Sequence, residues 1–212
     1  MTDTGSGVLP RQIDATVSYL ARSEEPLYNY YFMEPPPGKL PSNEVREPHR
    51  ISITDMRDLP AAPSLDVEGF MLAPFETRAR DIYDAAEREA VYDPEMIGLV
   101  KRVTGASEVR VFQPFLRGPE AQRRAPGSIS APAGTTHVDY TLDTGPMWFD
   151  AILGEDADRF RGRRYAFINV WRPITGPLRD HPLAVCDART VARDDLITSL
   201  SFSLVVADGL HS

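Results

Sequence analysis

The segment "THVDYT", Thr136 to Thr141, places an imidazole and a carboxylate two residues apart, at His137 and Asp139. On an extended strand, side chains alternate between faces, so residues 137 and 139 point the same way while Val138 packs behind them. Imidazole and carboxylate together with a more distant histidine form the facial triad of non-haem Fe(II) oxygenases, whose remaining positions stay open for co-substrate and oxygen. The same two groups can also do something plainer, because a histidine and an aspartate on a strand end can simply hydrogen-bond each other. The spacing alone leaves both readings open.

The elements around the pair read as short strands with a brief helical interlude. "ATVSYL" and "LYNYYF" are a strand pair or a strand with a loop, with Tyr30 and Tyr31 as core aromatics by default or else a substrate wall. "EPPPGKLPSN" is a turn-rich connector. In "HRISITDMRDL", Ile51 and Ile53 alternate with polar partners as in a half-buried strand. "DVEGFMLAPF" is a further short strand, with Gly69 at a turn or a close backbone approach. "FETRARDIYDAAEREAVY" spaces Ala79, Ile82, Tyr83 and Ala86 for a helix. Pro94 sits near the start of a second helix, "PEMIGLVKRVTG", which Gly105 can close. "SEVRVFQPFLR", "HVDYT", "RRYAFINVWRPI", "PLAVCDA" and "LITSLSFSLVV" are then strand candidates to the end of the chain. The expected fold is mainly β (α+β): a partial double-stranded β-helix, or jelly roll, with two flanking helices.

Composition narrows the function classes. The 212 residues suit one domain; 42% are hydrophobic, 25% charged, and the net charge is -8. That charge argues against nucleic acid or an anionic membrane surface as partner, and no run of eighteen apolar residues suggests a spanning helix. The start, "MTDTGSGVLP", lacks the basic and apolar regions of a signal peptide, so the expected location is cytoplasmic. Nineteen prolines disfavour a long helical bundle, and the lone Cys186 excludes an internal disulfide.

The stretch "FINVWRPITGPLRDHPLAVCDARTVARDDL", Phe167 to Leu196, taken with "HVDYT", "ITDMRDL", "SLDVEGFMLAPFET" and "VRVFQPFLR", resembles the CmcJ/asaB family of hydroxylases and desaturases, relatives of the Fe(II)/2-oxoglutarate-dependent dioxygenases. The resemblance covers most of residues 25–196. It implies a double-stranded β-helix in which His137 and Asp139 match the first two iron ligands, with Fe(II) and 2-oxoglutarate as cofactors and a small organic molecule as substrate. The family's third ligand is a histidine in a His-Thr segment far downstream. Here the histidines are His49, His137, His181 and His211. His181 lies in the family block away from the ligand position, and nothing after Leu196 matches the expected segment.

The chain is therefore expected to be a single incomplete jelly-roll domain over residues 1–212. It divides into an N-terminal strand extension (13–75), a helical segment (76–105), a barrel core (106–196) and an atypical tail (197–212). A jelly roll needs about eight strands to cover its edges, so unpaired edges would invite self-association. A gene boundary or frameshift would explain the tail.

Other residues invite roles. Asn169, Trp171 and Pro173 share one strand face and Arg172 takes the other. Arg172 could clamp a carboxylate of 2-oxoglutarate or of an acidic substrate, or form a structural ion pair. Asn169 and Trp171 complete the cofactor-binding set. Asp187 with Arg189 reads as a turn-stabilising pair, and Arg123 and Arg124 as a pocket mouth or a solvated loop. Tyr140 should face away from the pair, and Cys186 is expected buried and inert. The first functional reading is iron-dependent hydroxylation or desaturation of a small metabolite. The second is an inactive shortened relative lacking the distal ligand. Methyl transfer has little support, since no glycine-rich strand–turn–helix loop is present.

Overall fold

The structure, a computed structural model, describes residues 10–30, 33–124, 133–176, 178 and 182–202. Strand β1 (Gln12–Leu20) pairs antiparallel with β3 (Arg46–Thr54), in a register running from Gln12 opposite Thr54 to Leu20 opposite Arg46. Strand β2 (Leu27–Tyr30) pairs in parallel with β4 (Ser199–Phe202), so the start and end of the described chain meet. Glu44 ties this second sheet from the side, accepting from Asn29 Nδ2 at 3.1 Å and from Ser199 Oγ at 2.7 Å.

The helical segment is shorter than its periodicity predicts. Residues 75–84 do not form a helix; α1 begins only at Ala85 (Ala85–Glu87), with the Asp84 side chain capping the Glu87 N–H at 3.0 Å. The cause is competition for backbone donors. Glu95 accepts from the Arg78 N–H, and Glu87 accepts from the Arg80 and Asp81 N–H groups, so carboxylates satisfy donors that a helix would have used. A π-helical turn, Arg88–Tyr92, leads into α2 (Asp93–Thr104). Pro94 lies in the first turn of α2, and Gly105 ends it in the left-handed region at φ 72°, as the sequence suggests. Met96, Leu99 and Val100 from α2 are buried, as is Ile82 from the preceding turn.

The expected barrel strands differ most. "SEVRVFQPFLR", "HVDYT", "RRYAFINVWRPI" and "PLAVCDA" form no regular strand, whereas "LITSLSFSLVV" contributes β4. "DVEGFMLAPF" is likewise a turn followed by irregular chain. Period-two alternation selects a face, but a strand also needs a neighbour for its N–H and C=O groups; the described sheets have two strands each. Within the first of these segments Gln113 takes a positive φ of 47° and is followed by Pro114, which interrupts extension. Three helices occupy ground that was read as loop or barrel: α3 (Pro119–Arg124), α4 (Thr144–Leu153) and α5 (Ala157–Phe160). The helices therefore exceed the expected flanking pair.

Other contacts close the molecule around the extended segments. Gly69, at φ 84°, makes both a turn and a close approach: a Cβ there would lie 3.3 Å from Ala188 Cβ. Beside it Glu68 O accepts from the Ala188 N–H, and Arg189 pairs with both Asp187 and Glu68. Arg123 pairs with Glu120, and Arg124 pairs with Asp81 while covering the Tyr83 ring, so both arginines are helix-borne and partnered. Cys186 is exposed, because the strand that would have buried it is not assembled. Tyr31, His181 and His211 lie outside the described residues.

Candidate functional site

His137 and Asp139 sit in a stretch without regular structure that is anchored at both ends. Upstream, the Thr136 N–H donates to the Ser18 carbonyl of β1 at 2.9 Å. Downstream, Thr141 and Thr144 exchange hydrogen bonds, each backbone N–H donating to the other's hydroxyl at 2.9 and 3.1 Å, and this turn starts α4. Between these anchors His137 Nε2 lies 3.4 Å from Asp139 Oδ1. The two side chains are 52% and 41% exposed, so the pair opens to solvent on one side.

Each member has a second contact that settles its orientation. His137 Nδ1 is 2.8 Å from the Thr135 carbonyl. A carbonyl can only accept, so Nδ1 carries the hydrogen and Nε2 turns toward Asp139. Asn169 Nδ2 donates to Asp139 Oδ2 at 2.7 Å, leaving Oδ1 on the histidine side. The electrostatics follow this geometry. The hydrogen bond to Asp139, with help from the Thr135 carbonyl, raises the His137 pKa against desolvation and the positive field of Arg117. The His137 contact lowers the Asp139 pKa, reinforced by Asn169 and Arg117 and opposed by desolvation.

The residue after Asp139 belongs to an aromatic cluster. Tyr140 stacks on Phe167, with ring centroids 4.2 Å apart and planes at 29°. Trp148 of α4 meets Tyr140 edge-on at 5.8 Å, and Phe112 lies 6.0 Å from Phe167. The cluster joins the segments that carry Asp139 and Asn169, which are thirty residues apart. Aromatic contacts of this kind contribute about 0.5–1.5 kcal/mol each beyond area burial.

Of the residues singled out from sequence, His137, Asp139 and Asn169 come together. Arg172 instead lies over the Tyr92 ring of the π-helical turn, its guanidinium carbon 5.4 Å from the centroid, with its buried Nε lacking a hydrogen-bond partner among the described residues. Trp171 is 46% exposed. His49 is on β3, edge-on to Tyr19. Thr135, Arg117 and the aromatic cluster escaped the sequence reading. A backbone carbonyl leaves no residue-type signal, and the cluster forms only when distant segments meet. An open cleft between Phe75, Arg78, Glu95 and Arg102 is lined by none of the site residues.

The donor chemistry fits a divalent iron ion in two of its positions. His137 Nε2 has its partner nitrogen occupied, as metal-bound histidines generally do, and Asp139 presents one oxygen while the other is held. Among the described residues no group of three or more His, Cys, Asp or Glu side chains gathers to complete a ligand set.

A neighbouring histidine and carboxylate supply two of the three donors found in the facial triad of non-haem Fe(II) oxygenases. Among known proteins, the model of the family described as oxidoreductase/YMDC permease-like domain matches residues 17–205, and the chain belongs to that family. It is 35% identical over 172 residues to the Fe(II)/2-oxoglutarate-dependent dioxygenase nvfI of Aspergillus novofumigatus, covering 79% of this chain and 61% of that protein. It is 31% identical over 157 residues to the hydroxylase/desaturase efuI of Hormonema carpetanum, covering 69% of this chain and 52% of that one. The chain thus spans between half and two thirds of the length of these relatives. Its fold is similar to solved structures of the iron and alpha-ketoglutarate-dependent endoperoxidase NvfI. One superposes with a TM-score of 0.74 at 28% identity over 91% of this chain and 71% of that chain; a variant of the same protein gives 0.76. No helix among the described residues is long and apolar enough to cross a membrane.

Proposed function

We propose that this chain carries the metal-binding half of an Fe(II)/2-oxoglutarate-dependent oxygenase that hydroxylates or desaturates a small organic metabolite. The observation that carries this reading is the His137–Asp139 pair, each member tethered on the side away from the other. His137 Nε2 and Asp139 Oδ1 would hold the ion. With 2-oxoglutarate and oxygen, iron would supply the oxidising power that no side chain possesses.

The protein's own part is positioning. The Thr135 carbonyl keeps the proton on His137 Nδ1 and so frees Nε2. Arg117 adds positive potential at the pair, which favours the ionised form of Asp139. We assign Arg172 to a carboxylate of the co-substrate or of an acidic substrate, supported by its buried Nε, which has no hydrogen-bond partner among the described residues. Half-exposed Trp171, neighbouring Asn169 and Arg172, would wall the same opening. Residues 106–196 would form the site-bearing part of a double-stranded β-helix, with 13–75 as a strand extension and 76–105 as the helical layer. The third ligand would come from His211, which lies outside the described residues, from another chain, or from sequence that the longer relatives carry. Self-association would run through unpaired strand edges, such as those of the two-stranded sheets.

Anaerobic titration of the chain with Fe(II) in the presence of 2-oxoglutarate tests the reading. The expected result is a weak visible charge-transfer band that is lost in His137→Ala. A folded protein that develops no band would overturn it.

A further inference from the structure

We infer that Asn169 is a positioning residue for Asp139, holding the carboxylate so that a single oxygen faces the metal. The inference rests on the proposed metal site and assigns Asn169 a task other than contact with the co-substrate. Asn169 Nδ2 donates to Asp139 Oδ2 at 2.7 Å, while Asp139 Oδ1 is the oxygen 3.4 Å from His137 Nε2. The two oxygens of one carboxylate therefore have separate partners. An ionised carboxylate only accepts, so an amide N–H is a suitable tether, and a hydrogen bond to a charged acceptor is stronger than a neutral one.

The surroundings explain why such a tether is needed. Asp139 lies on irregular chain, where no strand ladder restrains its backbone. Its carboxylate is 41% exposed, so without the amide it could rotate to offer both oxygens to an ion or to water. Asn169 is itself kept in place by Phe167, two residues earlier, which stacks on Tyr140, the residue after Asp139. The amide and the ring stack thus join the same two segments at two points. One contact sets the separation of the segments, and the other sets the rotation of the carboxylate. Contacts of this outer kind typically change metal affinity by about 10–100-fold when removed.

The test uses Co(II) as probe, titrated into the full chain and followed by visible absorption, with thermal unfolding of the metal-free protein alongside. The expected pattern is binding by the wild type, none by His137→Ala, and binding about 10–100-fold weaker by Asn169→Leu at an unchanged melting temperature. Asn169→Gln, which keeps the donor, should recover part of the loss. If Asn169→Leu does not fold, Asn169→Ser removes the reach of the amide with less steric change and takes its place. Wild-type affinity in Asn169→Leu overturns the inference while leaving the His137–Asp139 site standing. A drop in affinity matched by lost stability, with no recovery in Asn169→Gln, makes Asn169 structural and also overturns it. Equal Co(II) binding by wild type and His137→Ala, or none by either, overturns the metal reading itself.

Discussion

The helical layer and the site-bearing segment are held together by different physics. Around α2, the buried side chains Met96, Leu99 and Val100 lie within a few residues of one another, and the network around Glu95 reaches back only to Thr77 and Arg78. Around the His137–Asp139 pair the decisive contacts span long stretches: Thr136 to Ser18, Asp139 to Asn169, and Tyr140 to Phe167. Most of that region is exposed, so its geometry depends on a few directional contacts rather than on packing. A region built on packing loses stability when trimmed. A region built on tethers loses alignment first.

Single substitutions should separate the two regimes. The largest effect expected is on metal affinity: His137→Ala should reduce Fe(II) or Co(II) binding below detection while the melting temperature stays within a few degrees, measured by titration and by circular dichroism. Leu99→Ala should do the reverse, costing about 2–5 kcal/mol of stability as a buried large-to-small change. At temperatures where Leu99→Ala remains folded, it should bind metal as the wild type does. An equal loss of affinity in Leu99→Ala would show that the two regions are coupled and break the distinction.

Smaller effects sharpen it. Phe167→Leu removes the stack on Tyr140 and should cost about 1 kcal/mol, with a measurable loss of metal affinity as well, because that ring bridges the two segments. Gly105→Ala, at a left-handed φ of 72°, should cost about 1 kcal/mol and leave metal affinity untouched.

The smallest predicted effects distinguish two carboxylates in one helical turn by pH. Asp93 has its pKa raised by desolvation, so its ionisation removes stability as pH rises through the carboxylate range. Asp93→Asn should therefore melt higher than wild type at neutral pH and converge with it in acid. Glu95 has its pKa lowered, first by Thr77 and then by Arg78, so its contribution is present at neutral pH and lost on acidification. Glu95→Gln should melt lower than wild type at neutral pH, again converging in acid. Melting curves at several pH values would check both signs.

The contrast also explains what could be read in advance. Pro94 and Gly105 mark the ends of α2 because helix start and stop signals are local. Strand β3 was legible from its alternation, and β1 and β4 lie in segments expected to be extended, although alternation does not reveal that β2 pairs with β4 at the far end of the chain. The same alternation assigned His137 and Asp139 to one side. It overpredicted strands at 107–117 and 163–174, where side chains alternate but no regular strand forms among the described residues. The helix expected from Phe75 failed for a related reason: Glu87 and Glu95 take the N–H groups that it needed.

By itself, then, the sequence determined the chemistry available: an imidazole and a carboxylate on one side of a short segment, within a chain whose long blocks match a family of oxidoreductases. The tertiary structure decided how that chemistry is aimed. Asn169 reaches Asp139 across thirty residues, and Phe167 stacks on Tyr140. It also turned Arg172 onto Tyr92 rather than leaving it to a strand face. Residue type and spacing carry the identity of a donor atom, whereas its direction is set by whichever distant group reaches it first in the folded chain.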